Sequence, residues 1–138
     1  MAGYLLDTNH ASPLVTIGHP LRSRILASLE SGNTFGLCVP VIVETKFGIG
    51  ILPKAKANLD EWQRLRHRLT RYALDSNDAE AAVDLQLALR ASGWQLASFD
   101  ALIATVALKY NLTLLTTDRD FLAVDGLLCE NWLAALNR

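Results

Sequence analysis

The chain is short of the residues that small proteins use to brace a weak core. It has two cysteines, Cys38 and Cys129, in 138 residues, too few for a disulfide framework and in keeping with a reducing compartment. Its three histidines, His10, His19 and His67, stand without the spacing of a zinc site. No apolar run approaches the ~20 residues that cross a bilayer, and no basic stretch followed by an apolar one opens the chain. Gly48 and Gly50 lack the lysine and spacing of a phosphate-binding loop. Repeats, low-complexity tracts and a nucleophilic triad are missing too. So is an excess of charge: 13 Lys and Arg against 14 Asp and Glu leave a net charge of -1. A near-neutral sum argues against nucleic acid as a partner, unless the charges are unevenly placed. These absences lead to the expectation of one soluble cytoplasmic domain spanning residues 1–138, with no membrane anchor.

What remains is ample for folding. Hydrophobic residues make up 51% of the chain, and a domain this long buries roughly two-thirds of its unfolded surface. Tyr4-Leu5-Leu6, Gly36-Leu37-Cys38-Val39 and Leu112–Thr117 read as strands, with a weaker one at Tyr72-Ala73-Leu74 and a last one at Leu127-Leu128-Cys129. Helical spacing marks Leu21–Leu29, Val41–Leu52 with Pro40 at its first position, and a polar surface helix from Lys54 to Thr70. Asn77 or Asp78 is expected to cap a long helix ending at Ser92-Gly93, and Ser98 to cap Phe99–Tyr110. A short terminal helix is expected after the last strand. Strands alternating with helices predict an α/β fold. Its central sheet, mostly parallel and of about five strands, would be flanked by helices on both faces.

Such sheets bind ligands at the carboxyl ends of their strands, and acids fall there. Asp7 follows the first strand, and Asp118 and Asp120 follow Leu112–Thr117. Glu44 sits in the opening turns of the helix after a strand, and Asp100 in the first turn of Phe99–Tyr110. Each has an ordinary alternative. Asp7 suits a helix cap, Asp100 complements a helix dipole, and Asp118 and Asp120 suit turns. Glu44 fits those roles less well, because a Glu in an apolar stretch is seldom buried without a partner. Gathered on one edge, the acids would be costly: like charges ~4 Å apart near a surface repel by about 4 kcal/mol. Protonation or a cation must relieve that. Oxygen donors without Cys or His nearby favour Mg²⁺ or Mn²⁺, the apparatus of phosphodiester hydrolysis by metal-activated water.

These stretches, taken in order, resemble the PIN-domain ribonucleases, most closely the VapC toxins of bacterial toxin–antitoxin pairs. The likeness rests on Leu5-Leu6-Asp7-Thr8-Asn9, Val43-Glu44-Thr45-Lys46-Phe47-Gly48 and Phe99-Asp100-Ala101-Leu102-Ile103-Ala104. It continues through Leu114-Leu115-Thr116-Thr117-Asp118-Arg119-Asp120-Phe121 and Glu130-Asn131-Trp132-Leu133. The resemblance implies a PIN-like fold and an endoribonuclease holding one or two Mg²⁺ or Mn²⁺ ions on Asp7, Glu44, Asp100 and Asp118. Asn9 and Thr117 resemble residues that orient ligands or waters. Many VapC sequences carry Asn where Asp118 stands and space the following Asp-Phe differently. Asp120 is therefore an alternative fourth acid, with Asp118 favoured as nearer the strand end. A homodimer, a small VapB-type antitoxin and an RNA substrate are implied as well.

The remaining features are less specific. Lys54, Lys56, Arg64, Arg66, Arg68 and Arg71 crowd one segment, either as a solvated helix face or as a phosphate-contacting rim for RNA beside the acids. Lys46 is a further candidate phosphate contact. Trp62, Trp94 and Trp132 are assigned to packing, His10 to a surface loop, and both cysteines to buried apolar thiols. A non-catalytic PIN-like module that binds RNA or protein is the alternative function, and a metal-dependent phosphatase or DNase a third.

Overall fold

The computed structural model describes residues 1–134, and the expected terminal helix lies outside them. β1 (Gly3–Leu6) leads through α1 (Thr8–Ala11), a 3-10 turn (Ser12–Val15) and α2 (Pro20–Glu30) to β2 (Thr34–Cys38). α3 (Val39–Gly50) and α4 (Ala55–Leu65) then lead to β3 (Thr70–Tyr72). α5 (Ser76–Ala91) and α6 (Ser98–Lys109) precede β4 (Thr113–Leu115), and a 3-10 turn (Arg119–Ala123) precedes β5 (Cys129–Glu130).

The five strands form one sheet in the order β3-β2-β1-β4-β5, every pairing parallel. The chain winds from β1 to β3 on one side, then returns to place β4 and β5 on the other. Its order therefore reverses between β1 and β4, and the carboxyl ends of strands at such a switch point are where open α/β sheets bind ligands. Leu5 and Leu6, Leu37 and Cys38, and Leu114 and Leu115 are all buried. Successive strand residues face opposite ways, so helices cover both faces. Burying each of these leucines contributes about 1.5–3 kcal/mol.

Several element ends differ from the sequence reading, each for a local reason. The helix expected to reach Thr70 stops at Leu65, because Arg66–Arg68 tighten into a 3-10 turn that ends at buried, extended Leu69, just before β3. β3 accordingly begins at Thr70 rather than Tyr72. α5 is capped by Asp75, not by Asn77 or Asp78. Its carboxylate accepts from Asp78 N at 3.0 Å, and the Asp78 carboxylate accepts from Asp75 N at 2.9 Å, a reciprocal pair that satisfies two end donors at once. Ala97 occupies the cap position of α6 and Ser98 is its first helical residue, with no side-chain cap. β5 is Cys129–Glu130, shifted from Leu127–Cys129 by its register against Leu114 and Leu115.

Close packing across the β2–β3 ladder leaves its mark on Gly36, where an added Cβ would fall on the Tyr72 ring. Gly48, in the interior of α3, has open space around that position. Gly36→Ala should therefore destabilise the fold by about 1–3 kcal/mol through overpacking. Gly48→Ala should stabilise it by about 0.5–1 kcal/mol by restricting the unfolded chain. Urea denaturation of the two variants checks this, and shifts of the same sign would contradict it.

Candidate metal centre

The ladder between β1 and β4 sets the site. Its register pairs Leu5 with Leu114 and Leu6 with Leu115, so the next residue on each strand, Asp7 and Thr116, arrives at the same carboxyl edge. Thr116 Oγ1 donates to Asp7 Oδ2 at 2.6 Å, and both residues are buried. Asn9 Nδ2 also donates to Oδ2, at 3.2 Å, while Thr8 N donates to Oδ1 at 2.8 Å as Asp7 caps α1. Hydrogen bonds to a charged group contribute about 1.5–3 kcal/mol each. The Asp7 carboxylate is therefore fixed in orientation; Oδ2 accepts twice, while Oδ1 accepts once and keeps a lone pair for a further ligand.

The same hydroxyl serves the second acid. Thr116 Oγ1 accepts from Asp118 N at 3.0 Å, and Asp118 Oδ1 in turn accepts from Asp120 N at 2.9 Å. Asp118 is half-buried, whereas Asp120 is exposed. Asp100 enters from the first turn of α6. A helix N-terminus favours an ionised acid, but here other effects outweigh it. Burial, followed by the charges of Asp7, Asp118, Glu44 and Asp120, pushes the Asp100 carboxyl up to about 6. These five acids thus share one electrostatic environment. Among the described residues none of them is ion-paired.

Glu44 departs from expectation. It is exposed, as are its neighbours Val43 and Phe47, while Val41 and Ile49 of the same helix are buried in the core, so Glu44 lies on the outer face of α3. Its contact with the cluster is a long hydrogen bond from Thr8 Oγ1 at 3.4 Å. Lys46 is also exposed. Two residues along a helix is a rotation of about 200°, so Lys46 does not share Glu44's face.

Asn9 is held from below by a residue the sequence reading misplaced. His10 is fully buried, not in a surface loop. Its Nε2 accepts from Trp132 N at 3.1 Å, which leaves Nδ1 to carry the proton and donate to Asn9 Oδ1 at 2.6 Å. Burial lowers its pKa to about 4, so the ring stays neutral. Thr117 also touches Asn9, through its backbone N at 3.2 Å, while its own side chain is exposed. The threonine that orients Asp7 is Thr116, and the parallel Leu-Leu-Asp and Leu-Leu-Thr sequences were the signal for it.

Part of the basic segment lies elsewhere. Arg64 pairs with Glu61 at 2.6 Å and Arg68 with Glu30 at 2.8 Å. Arg66 and Arg68 form the turn entering the amino end of β3, at the edge of the sheet opposite the acids, and Arg71 lies within that strand. Trp62 and Trp132 are packed as expected, at 2% and 5% exposure, but Trp94 is 50% exposed. Cys38 is buried, and burial drives its thiol up to about 12. Cys129 is half-buried.

Among the described residues no three His, Cys, Asp or Glu side chains stand close enough to hold a metal by themselves. Mg²⁺ does not require that, since one or two carboxylates with water complete its octahedron. An all-oxygen donor set, pre-oriented at Asp7 and lacking a counter-cation, fits a hard divalent ion.

A parallel α/β domain with carboxylates gathered at its switch point is the class these features define. The chain belongs to the PIN domain family, whose pattern matches residues 4–127. It is 25% identical over 130 residues to Ribonuclease VapC2 of Rickettsia felis, covering 94% of this chain and 97% of that one. Its fold is similar to VapBC2 of Rickettsia felis bound to a promoter DNA fragment (TM-score 0.81, 24% identity, 94% and 98% of the two chains). DNA-bound VapBC of Salmonella typhimurium is similar as well (TM-score 0.80, 22% identity, 96% and 99%). Among the described residues no helix is long and apolar enough to cross a membrane.

The crowding of Asp100 has a measurable sign. Its proton is held more tightly in the folded state, at about 6, than at the ordinary value of 3.8. Folding is therefore penalised above about pH 6, and the penalty vanishes as pH falls below about 4. With chelator at pH 7.5, Asp100→Asn should be the more stable protein, by about 1–2 kcal/mol after allowance for solvent screening. That advantage should close by pH 4. Equal denaturation midpoints at pH 7.5 would contradict the crowding.

Proposed function

We propose that this chain is a Mg²⁺- or Mn²⁺-dependent endoribonuclease of the VapC type, the toxin of a toxin–antitoxin pair. It would act in the cytoplasm as a homodimer restrained by a small VapB-type antitoxin. The observation that carries the reading is the tying of Asp7 and Asp118 to one Thr116 hydroxyl at the switch point, with Asp100 crowded against them. Likeness over nearly the whole chain to a protein named Ribonuclease VapC2 gives it direction.

Asp7, Glu44, Asp100 and Asp118 would hold one or two divalent ions, with Asp120 the alternative to Asp118. A bound divalent ion supplies an activated water and offsets charge on the phosphorane and leaving oxygen. The chain's own residues prepare the place for it. Thr116, Asn9 and the Thr8 amide fix the Asp7 carboxylate before substrate arrives, so no reorganisation is needed at the moment of reaction. Neutral His10 locks Asn9, which keeps one side-chain nitrogen on Asp7 and its oxygen on the Thr117 amide. Asp100 near its midpoint at pH 6 is readily ionised once a cation offsets its neighbours.

Assay of the purified chain on single-stranded RNA, single-stranded DNA and a small phosphate ester, with Mn²⁺ or with EDTA, tests this. RNA alone should be cut, and with Mn²⁺ alone. Asp7→Asn and Asp100→Asn should both fall to the EDTA baseline while remaining folded by circular dichroism. Full activity in either variant would overturn the assigned roles. RNA binding without cleavage would favour the non-catalytic module.

A further inference from the structure

A cavity of about 600 Å³ lies between the end of α5 and the start of α6, lined in part by Arg90, Trp94, Gln95, Ser98 and Asp120. It adjoins the acids through two of those residues. Asp120 donates its amide to Asp118 Oδ1, and Ser98 begins the helix whose first turn carries Asp100. The indole of Trp94 is the unusual part. It stands 50% exposed in a protein whose other two tryptophans are packed away, and its backbone is firmly held. Gly93, at φ +87°, closes α5 in the left-handed conformation, and Trp94 N donates to Leu89 O at 2.9 Å across that turn. The far wall is tied as well. Gln86 Nε2 donates to Leu96 O at 2.8 Å and to Ser98 Oγ at 3.3 Å.

We propose that this cavity is a nucleotide subsite, in which one base of the RNA flanking the scissile bond stacks on Trp94 while Arg90 meets the adjoining phosphate. The proposal rests on the ribonuclease reading and names how its substrate is held. An exposed indole on a fixed backbone suits base stacking, because every base offers a π-face. Arg90 is exposed and, among the described residues, has no ion-pair partner. It lines the same cavity as Asp120 and supplies positive charge there. Gln95 adds amide donors and acceptors at the rim, suited to a base edge.

Because Trp62 and Trp132 are buried, acrylamide quenching of intrinsic fluorescence reads Trp94. The test uses the whole 138-residue chain carrying Asp7→Asn with Mg²⁺ and a short unstructured RNA. Saturating RNA should shield the accessible tryptophan. Trp94→Ala should weaken binding about tenfold and Trp94→Phe much less, as expected for loss of one stacked base. In the otherwise native chain, Trp94→Ala and Arg90→Ala should raise KM for RNA cleavage and leave kcat nearly unchanged. Quenching unaltered by RNA, together with unchanged affinity in Trp94→Ala, would overturn the subsite. So would shielding that appears without RNA as protein concentration rises, which would mean that a second copy covers the cavity. Cleavage that is indifferent to Trp94 would sink the subsite alone. RNA-dependent shielding in Asp7→Asn, together with no RNA cleavage by the native chain in Mn²⁺, would support the subsite and remove the ribonuclease reading instead.

Discussion

One hydrogen bond, from the Thr116 hydroxyl to the Asp7 carboxylate, ties the two halves of the sheet together at the point where the candidate site lies. It spans the switch between β1 and β4, and the same oxygen accepts from the Asp118 amide. A carboxylate buried there without donors would cost several kcal/mol or take up a proton. With Thr116, Asn9 and the Thr8 amide around it, Asp7 is aimed and satisfied. The strands align this group because the paired leucines of β1 and β4 are buried together. Core packing thus sets the position of the chemistry.

Charge placement follows from the same geometry. The net charge of -1 conceals an acid-rich edge without counter-ions and a basic segment partly neutralised by its own partners, Arg64 with Glu61 and Arg68 with Glu30. The neutral sum is therefore a poor guide to partners. A divalent ion at the acid edge would relieve the repulsion that raises Asp100, and would leave that edge attractive to a polyanion such as RNA.

Much of the architecture was legible in the sequence because it rests on patterns that survive folding. Apolar strand runs, Pro40 at the start of a helix and acids just past strand ends were enough to predict a parallel sheet with one acidic edge. The departures came where tertiary context decides. Glu44 looked buried because Val41, Ile42 and Val43 before it are apolar, yet only Val41 of the three is fully buried and Glu44 sits with Val43 on the exposed face of α3. His10 looked like a loop residue because α1 has four residues, too short to show a helical period. Trp94 was assigned to packing, but beyond the turn at Gly93 it stands 50% exposed. Composition alone grouped the basic segment with the acids, and the parallel sheet puts Arg66 and Arg68 at the amino end of β3, away from the carboxyl ends that carry Asp7 and Asp118.

The central claim is that acids gathered at the β1–β4 switch point hold a divalent cation, and direct titration of Mn²⁺ into the metal-free chain tests it most simply. Calorimetry or paramagnetic relaxation at neutral pH should show saturable binding of one or two ions per chain. The affinity should weaken as pH falls below about 5, where carboxylates take up protons, and in Thr116→Val, which loses the hydroxyl that orients Asp7. No saturable binding at millimolar Mn²⁺, or binding that is unchanged in both Asp7→Asn and Thr116→Val, would contradict the account.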